Sequence, residues 1–221
     1  MSLNINKMMK QSKKKGPKFE EGTYPALPVQ IIDLGQQEIT DLKTGEVKGH
    51  APHVMITFEF PTETIEIEKD GETKDMPRWL SRKMLVSGSD RSNFYKYLKA
   101  VDPKGDTESM EDHLGRNTLA EVGTTSGGNP KITAVLPPMK GMKYELVNDP
   151  VVFDLDKPDL DVWDKLLDWI KDDIKNGKDF ENTKLAQELR EREARQNDDG
   201  SDDDADDNPL NFDDLEDSFD E

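Results

Sequence analysis

The segment RWLSRK, residues 78–83, contains the side chains best suited to bind a ligand that has both negative charges and flat rings. These side chains are Arg78, Trp79, Arg82 and Lys83. Cations bind phosphate groups and a tryptophan ring stacks on a base, a combination typical of surfaces for single-stranded nucleic acid. In an extended strand Trp79 and Lys83 share one face while the two arginines share the other, so we expect one pair to face a groove. The alternative role of Trp79 is a core tryptophan.

Other cations extend this candidate surface. Lys43, Lys48 and His50 lie in or beside a loop predicted around Thr44 and Gly45, and Lys131 directly follows the glycine-rich turn SGGNP. These basic residues have few acidic neighbours in the sequence, which leaves them available for phosphate contacts. Together with the four residues of RWLSRK, they form the predicted DNA-binding set.

Catalytic and metal chemistry has little support. His50 and His53 are the closest pair of histidines, His113 stands alone, and no carboxylate lies at a ligand spacing around them. The sequence has neither a phosphate-binding glycine loop followed by Lys and Ser or Thr nor a nucleophile elbow. A two-metal nuclease is disfavoured because the carboxylates outside the C-terminal tail alternate with lysines, as on solvated faces. We expect no enzyme, no metal and no cofactor.

The elements that must position these residues are mostly strands. Segment 22–35 is predicted as strand one, with two prolines that allow an edge or first strand but not a central one. Segment 53–60 alternates apolar and polar residues, which predicts a half-buried strand with Phe58 and Phe60 in the core. Segment 78–87 is predicted as strand three, and Asp70-Gly71 as the turn before it.

A helix and a last hairpin follow. A cap over 87–90 precedes a helix over 91–101, where packing is the predicted role of Tyr95 and Tyr97. Segments 117–125 and 131–138 flank SGGNP and form the hairpin. Three strands, a helix and two strands is the order of the five-stranded oligonucleotide/oligosaccharide-binding barrel, the OB-fold. That fold binds its ligands on strands two and three and on loops 1-2 and 4-5.

The remaining sequence divides into an appendix and two charged ends. Beside the barrel at 19–148, the predicted parts are a basic arm at 1–18, a helical appendix at 149–195 and a disordered acidic tail at 196–221. Their formal net charges are +6 for the arm, −6 for the barrel, −5 for the appendix and −13 for the tail. Local charge sets the field at each face, so a total of −18 does not exclude a nucleic-acid partner.

The appendix contains an apolar stripe at helical spacing. Its members are Trp163, Leu166, Leu167, Ile170 and Ile174, which predict one helix from near Pro158 to just before Gly177. This stripe either packs on the barrel or forms a dimer interface. The segment NTKLAQELREREARQ predicts a polar helix that separates the tail from the body.

The tail indicates a protein partner, and the overall composition indicates the cellular compartment. Four large apolar residues stand among the last carboxylates of the tail, as expected of a ligand for another protein: Leu210, Phe212, Leu215 and Phe219. The sequence has no apolar run long enough for a membrane span, no secretory signal and no cysteine. We expect a cytosolic protein.

Several segments resemble a family of small tailed-phage proteins thought to coat single-stranded DNA. The resemblance covers residues 19–180 and lies in FEEGTYPALPVQIIDLGQQE, ITFEFP, SRKMLVSGSDRSNFYKYLKAV, HLGRNTLAEV and VVFDLDKPDLDVWDKLLDWIKDDIKNGKDF. It implies an OB-fold that protects single strands during replication, recombination and repair in the host cytoplasm. The tail is similar to those that recruit a polymerase, primase, helicase or nuclease, although Asp220 and Glu221 follow Phe219 here, where such tails end on Phe.

Two other functions stay open at the level of sequence. A single-strand annealing protein or recombination mediator would bind the same ligand and also pair complementary strands. A DNA-mimic inhibitor would use the acidic tail and body to occupy a DNA-binding enzyme and would not bind DNA at low salt. For the coating protein itself, we expect the tail to compete with DNA for the groove, because tethering gives it a high effective concentration.

Overall fold

The computed structural model of the chain describes residues 19–41, 43–69 and 72–199 and confirms a mainly β fold. Its strands are β1 Gly22–Thr40, β2 Val47–Lys69, β3 Glu72–Leu85, β4 Thr118–Thr124, β5 Pro130–Leu136 and β6 Val151–Phe153. Its helices are α1 Asn93–Val101, α2 Leu160–Lys165, α3 Asp168–Lys175 and α4 Lys184–Asp199, with 3₁₀ turns at Met110–His113 and Phe180–Asn182. The basic arm, the Asp70-Gly71 turn and the four apolar tail residues, Leu210, Phe212, Leu215 and Phe219, lie outside the described residues.

Strand β1 is the centre of the sheet, so the prediction that its two prolines allow an edge or first strand but not a central one was wrong. The strand order is β3-β2-β1-β4-β5, all neighbours antiparallel, and β6 pairs with β1 in parallel. The prolines fit because β1 changes partner between them: residues 22–26 pair with β4 and residues 27–40 with β2. Each half therefore has only one antiparallel neighbour, and the register shifts between Pro28 and Gln30.

Strands β2 and β3 extend well beyond the segments predicted for them. Their pairing continues from Phe60 and Arg78 outward to Lys69 and Glu72, so a two-stranded ribbon projects from the sheet. The ribbon sequence alternates charged residues with Ile65 and Ile67. Because neither of its faces is consistently apolar, the sequence predicted only the Asp70-Gly71 turn here and no strand.

The sheet is open between β3 and β5. No ladder joins these two strands within the described part of the chain. They meet instead through a side chain, since the Arg82 guanidinium donates a hydrogen bond to the Thr133 carbonyl oxygen at 2.8 Å. The five strands therefore curl toward closure without completing it by backbone pairing.

Helix α1 lies where it was predicted, with a different cap. Ser92 is the N-cap, and its hydroxyl accepts a hydrogen bond from the Tyr95 backbone N–H at 3.0 Å; residues 87–90 precede the cap. Asp102 ends the helix. Tyr97 is fully buried in the core with Phe58 and Phe60, as expected.

Among the described residues, no helix is both long and apolar enough to cross a membrane.

Apolar residues pack on both faces of β1 and β2. The inner core contains Ile31, Ile56 and Phe58, whereas Ile32, Leu34 and Met55 point outward into a second cluster formed with the appendix. The appendix stripe therefore packs on this chain's own sheet, as in the first of the two alternatives for it.

Strand β6 was missed by sequence reasoning because three residues are too few to show a periodicity.

The appendix stripe belongs to two helices rather than the predicted single helix. Leu166 ends α2 and Leu167 precedes α3, and both have extended backbone angles. This break turns the chain so that Trp163, Leu166, Ile170 and Ile174 are buried while Leu167 is 61% exposed. The prediction that Leu167 belongs to the stripe was therefore wrong.

This break gives a test that compares two residues of the same predicted stripe. Replacing Ile170 with Ala leaves a cavity in the outer cluster, so we expect the free energy of unfolding to fall by about 2 to 5 kcal/mol. Replacing Leu167 with Ala removes an exposed side chain, and we expect a change within about 0.5 kcal/mol. Urea denaturation measures both, and equal losses would contradict the observed packing.

Candidate nucleic-acid interface

The register of β3 decides which predicted residues face outward. Trp79 pairs with Glu59 and Lys83 pairs with Met55, so both share the outer face with residues of the outer cluster. Arg78 and Arg82 lie on the inner side, which carries Phe58 and Phe60. The predicted division of these four side chains into two faces is confirmed.

Trp79 lies on the surface rather than in the core. Its side chain is 41% exposed, and its indole Nε1–H donates to Glu59 Oε2 at 3.3 Å. This bond holds one edge of the ring against the sheet and leaves part of the ring open to solvent. An exposed, oriented indole can stack on a base without first losing much rotamer freedom.

The carboxylate that orients Trp79 is itself fixed. Glu59 is fully buried and also accepts hydrogen bonds from the Val147 backbone N–H at 2.7 Å, the Asn148 backbone N–H at 3.2 Å and Asn148 Nδ2 at 2.6 Å. Burying a carboxylate is costly unless several donors surround it. Glu59 therefore ties the strap, defined here as residues 137–150 between β5 and β6, to β2 beside Trp79.

Lys83 is engaged by the appendix. Its Nζ lies 3.2 Å from Asp173 Oδ2 on α3 and donates to Gln37 Oε1 at 3.0 Å. The Asp173 carboxylate neutralises the ammonium group, which makes Lys83 a poor partner for a phosphate. Helix α3 therefore covers the outer face of the sheet beside Lys83.

The two arginines of β3 have structural contacts. Arg82 bridges to β5, and burial lowers the pKa of its guanidinium. The Arg78 guanidinium lies 4.7 Å from the centre of the Phe19 ring, a cation–π contact at the start of the body. Arg82 thus links the two strands on either side of the opening in the sheet, and Arg78 packs on the aromatic ring at which the described chain begins. Neither side chain projects toward a ligand.

The remaining predicted cations do not gather around Trp79. Lys43, Lys48 and His50 are exposed at the far end of the β1–β2 hairpin, and the last two lie on β2 rather than in the predicted loop. These two are about 33 to 40 Å along β2 from Phe60, the partner of Arg78. Lys48 forms an ion pair with Asp41, and this contact lowers the pKa of the Asp41 carboxyl. Lys131 is exposed at the start of β5, opposite Gly123. The predicted set is therefore spread over separate surfaces.

The strap carries functional candidates that sequence reasoning missed. Lys140 and Lys143 are exposed, and Tyr144 is 37% exposed three residues before Val147. Asn117 fixes Tyr144 from both sides, since its Oδ1 accepts from the Tyr144 N–H at 2.8 Å and its Nδ2 donates to the Tyr144 carbonyl at 2.9 Å. The signal was present in the sequence as MKGMKY, two lysines beside an aromatic ring, but its irregular segment gave no reason to connect it with Trp79, which the structure does only through Val147 and Glu59.

His113 belongs to a buried network instead of a reactive site. The Thr107 hydroxyl donates to Asp102 Oδ2 at 2.6 Å and lies 2.9 Å from His113 Nε2, while the Tyr97 hydroxyl lies 3.2 Å from His113 Nδ1. Because Thr107 gives its one proton to Asp102, Nε2 must carry the imidazole proton and Nδ1 accepts from Tyr97. These side chains satisfy one another and fasten the segment after α1 to the helix.

Within the residues that the structure describes, no three His, Asp or Glu side chains are grouped closely enough to hold a metal ion.

No protein-family model, curated protein or solved structure matches this chain. The interface is therefore interpreted from its own residues.

The buried network predicts how stability depends on pH. Burial, followed by the nearby Arg116, lowers the pKa of His113, so the folded state binds its proton less readily than the unfolded state. Stability is thus lost as pH falls below the ordinary histidine pKa, about 6.5. The Thr107 hydrogen bonds lower the pKa of Asp102, which adds a further loss below about pH 4.

We expect the midpoint of urea unfolding to decrease between pH 7 and pH 5, and the decrease to shrink in His113→Gln. His50→Gln is the control, because His50 is exposed on the β1–β2 hairpin. The control should retain the full decrease. A decrease of the same size in His113→Gln would show that another group causes it.

Proposed function

We propose that this protein binds single-stranded DNA without sequence preference, on the outer face of β3 around Trp79, and coats it. The observation that carries the proposal is the exposed indole of Trp79, held in place by Glu59, which the strap encloses. Flat surfaces for bases and nearby cations are what such binding requires, and stacking contributes about 1 to 3 kcal/mol per base.

We further propose that the sheet is an open form of the OB barrel. The strand order, the helix between β3 and β4, and the approach of β3 to β5 at Arg82 and Thr133 support this. OB-folds bind oligonucleotides on strands two and three, and Trp79 stands on the third strand. The tailed-phage family that the sequence resembles leads to the same function.

The proposed path of the single-stranded DNA over the protein follows the side chains that remain exposed. From Trp79 it crosses the strap, where Tyr144 offers a second ring and Lys140 and Lys143 offer cations for phosphates. Within the described residues, neither lysine forms an ion pair, in contrast to Lys83 and Lys48. This path avoids the side closed by α3 and replaces the predicted path along Lys83.

The charged ends modify this binding. The six lysines of residues 1–18 add phosphate contacts that strengthen as salt is lowered. The thirteen carboxylates of residues 196–221 compete with DNA for the cations of the body, and DNA displaces them. Once released, Leu210, Phe212, Leu215 and Phe219 bind a replication or recombination enzyme.

The stacking role of Trp79 is tested by Trp79→Ala. Loss of one stacked base weakens binding of labelled oligo-dT by roughly 5- to 150-fold, the factor that corresponds to 1 to 3 kcal/mol. Trp79→Phe keeps a ring and should recover most of the affinity. Fluorescence anisotropy at fixed salt measures the dissociation constants.

Trp169→Ala is the matched control. Trp169 is 50% exposed on α3 between Asp168 and Asp172, whose charges repel phosphates. We expect this variant to bind like the unmodified protein. Equal losses in both variants would contradict a site at Trp79, and no binding of single strands at low salt by the unmodified protein would favour the DNA-mimic alternative.

Removal of the tail tests the competition. A chain that ends at Arg195 loses the thirteen carboxylates, so we expect it to bind oligo-dT several-fold more tightly at low salt. The difference should narrow as added salt screens the tail from the cations. Anisotropy titrations of both chains at two salt concentrations measure this, and unchanged affinity at low salt would contradict the model of a competing tail.

A further inference from the structure

A groove of about 490 Å³ is lined by residues of β1, β2 and β6, by Phe94 of α1 and by the 3₁₀ turn Met110–His113. Its apolar floor includes Val54, Val86, Phe94, Met110 and Phe153. The neighbouring positions His53 and Leu85 are paired across β2 and β3, and Val86 is 37% exposed. The groove is therefore an open apolar surface rather than a sealed gap in the core.

The rim of this groove is acidic. Asp33, Glu108, Glu111 and Asp154 line it, and none of the described residues that line it is Lys or Arg. Burial and the charges of Asp154 and Asp156 raise the pKa of Asp33, so these carboxylates repel one another. A cation bound between them would relieve this repulsion. An apolar floor with an acidic rim suits a ligand that presents lysines beside apolar side chains.

The chain contains such a ligand in its own basic arm. Residues 7–10 read KMMK, two methionines between two lysines, within an 18-residue segment that holds six lysines and no acid. Methionine side chains adapt to irregular apolar surfaces, and the flanking ammonium groups reach carboxylates on a rim. Charge and apolar character thus both match the groove.

The arm is long enough to reach the groove. Phe19 is held against Phe60 and Tyr24, with ring centres 4.9 and 5.1 Å away, so the arm starts beside the Phe60 end of β2. The groove begins at Val54, six residues or about 20 Å along β2 from Phe60. Phe19 lies nine positions after Lys10, and an extended chain of nine steps spans roughly 30 Å.

We propose that residues 7–10 of the same chain dock in this groove, with the methionines on the apolar floor and the lysines on the carboxylate rim. Because the arm is tethered, its effective concentration favours its own body over that of a second copy. This inference does not rest on the proposed DNA binding: docking engages Lys7 and Lys10 and leaves the other four lysines of the arm for phosphates. The docking gives the arm a binding site on the acidic side of the body.

Paramagnetic relaxation in the full-length protein tests the docking. The sequence has no cysteine, so Ser12→Cys provides a single attachment point for a nitroxide close to residues 7–10. We expect the amide signals of His53, Val86 and Met110 to lose intensity relative to the sample with the nitroxide reduced. Amides of β4 and β5 should keep their intensity.

Charge reversal on the rim provides the matched comparison. Glu108→Lys with Glu111→Lys should restore the intensities, because both side chains are exposed and their charges would repel the arm. Glu121→Lys with Glu145→Lys changes the net charge equally at exposed positions outside the groove and should leave the loss intact.

Three results would overturn the proposal. These are no loss of intensity at the groove, a loss that persists after reversal of the rim charges, and a loss that arises between molecules. The last is detected by mixing nitroxide-labelled protein at natural abundance with unlabelled, ¹⁵N-enriched protein, where docking within one chain leaves the signals unchanged.

Discussion

The burial of β1 on both faces is the constraint on which the rest of the structure depends. Ile31 points into the inner core, while Ile32 and Leu34 point into the outer cluster. A strand that is apolar on both faces must be covered twice, first by the curled sheet with α1 and then by the appendix. The appendix is therefore part of the body, and its docking determines which outer surface of the sheet remains open to a ligand.

Glu59 connects this architecture to the candidate nucleic-acid interface around Trp79. Its carboxylate lies on the same outer face as Met55 and accepts hydrogen bonds from the strap and from Trp79. A buried carboxylate with these donors tolerates little displacement, since each lost bond leaves charge poorly solvated. One side chain thus fixes both the strap and the orientation of Trp79, and rigidity at the interface arises from the fold itself.

The sequence predicted local patterns better than their partners. Alternation in β2 and β3, the helix with Tyr97 and the last hairpin followed from periodicity and turn residues. The central place of β1 did not, because a strand that changes partner between two prolines resembles an edge strand in sequence. Apart from Trp79, the predicted binding residues were chosen by charge, yet Lys83 and Lys48 bind carboxylates that are distant in sequence or across a hairpin.

Charge alone is consequently a poor guide to the interface of this acidic protein. Two of the predicted lysines, Lys48 and Lys83, bind carboxylates, and Arg82 is drawn into a structural contact, its bridge to Thr133. An exposed aromatic ring has no comparable internal competitor, and leaving it at the surface costs hydrophobic free energy. The position of Trp79, held in place but not covered, therefore carries more information about binding than the cations around it.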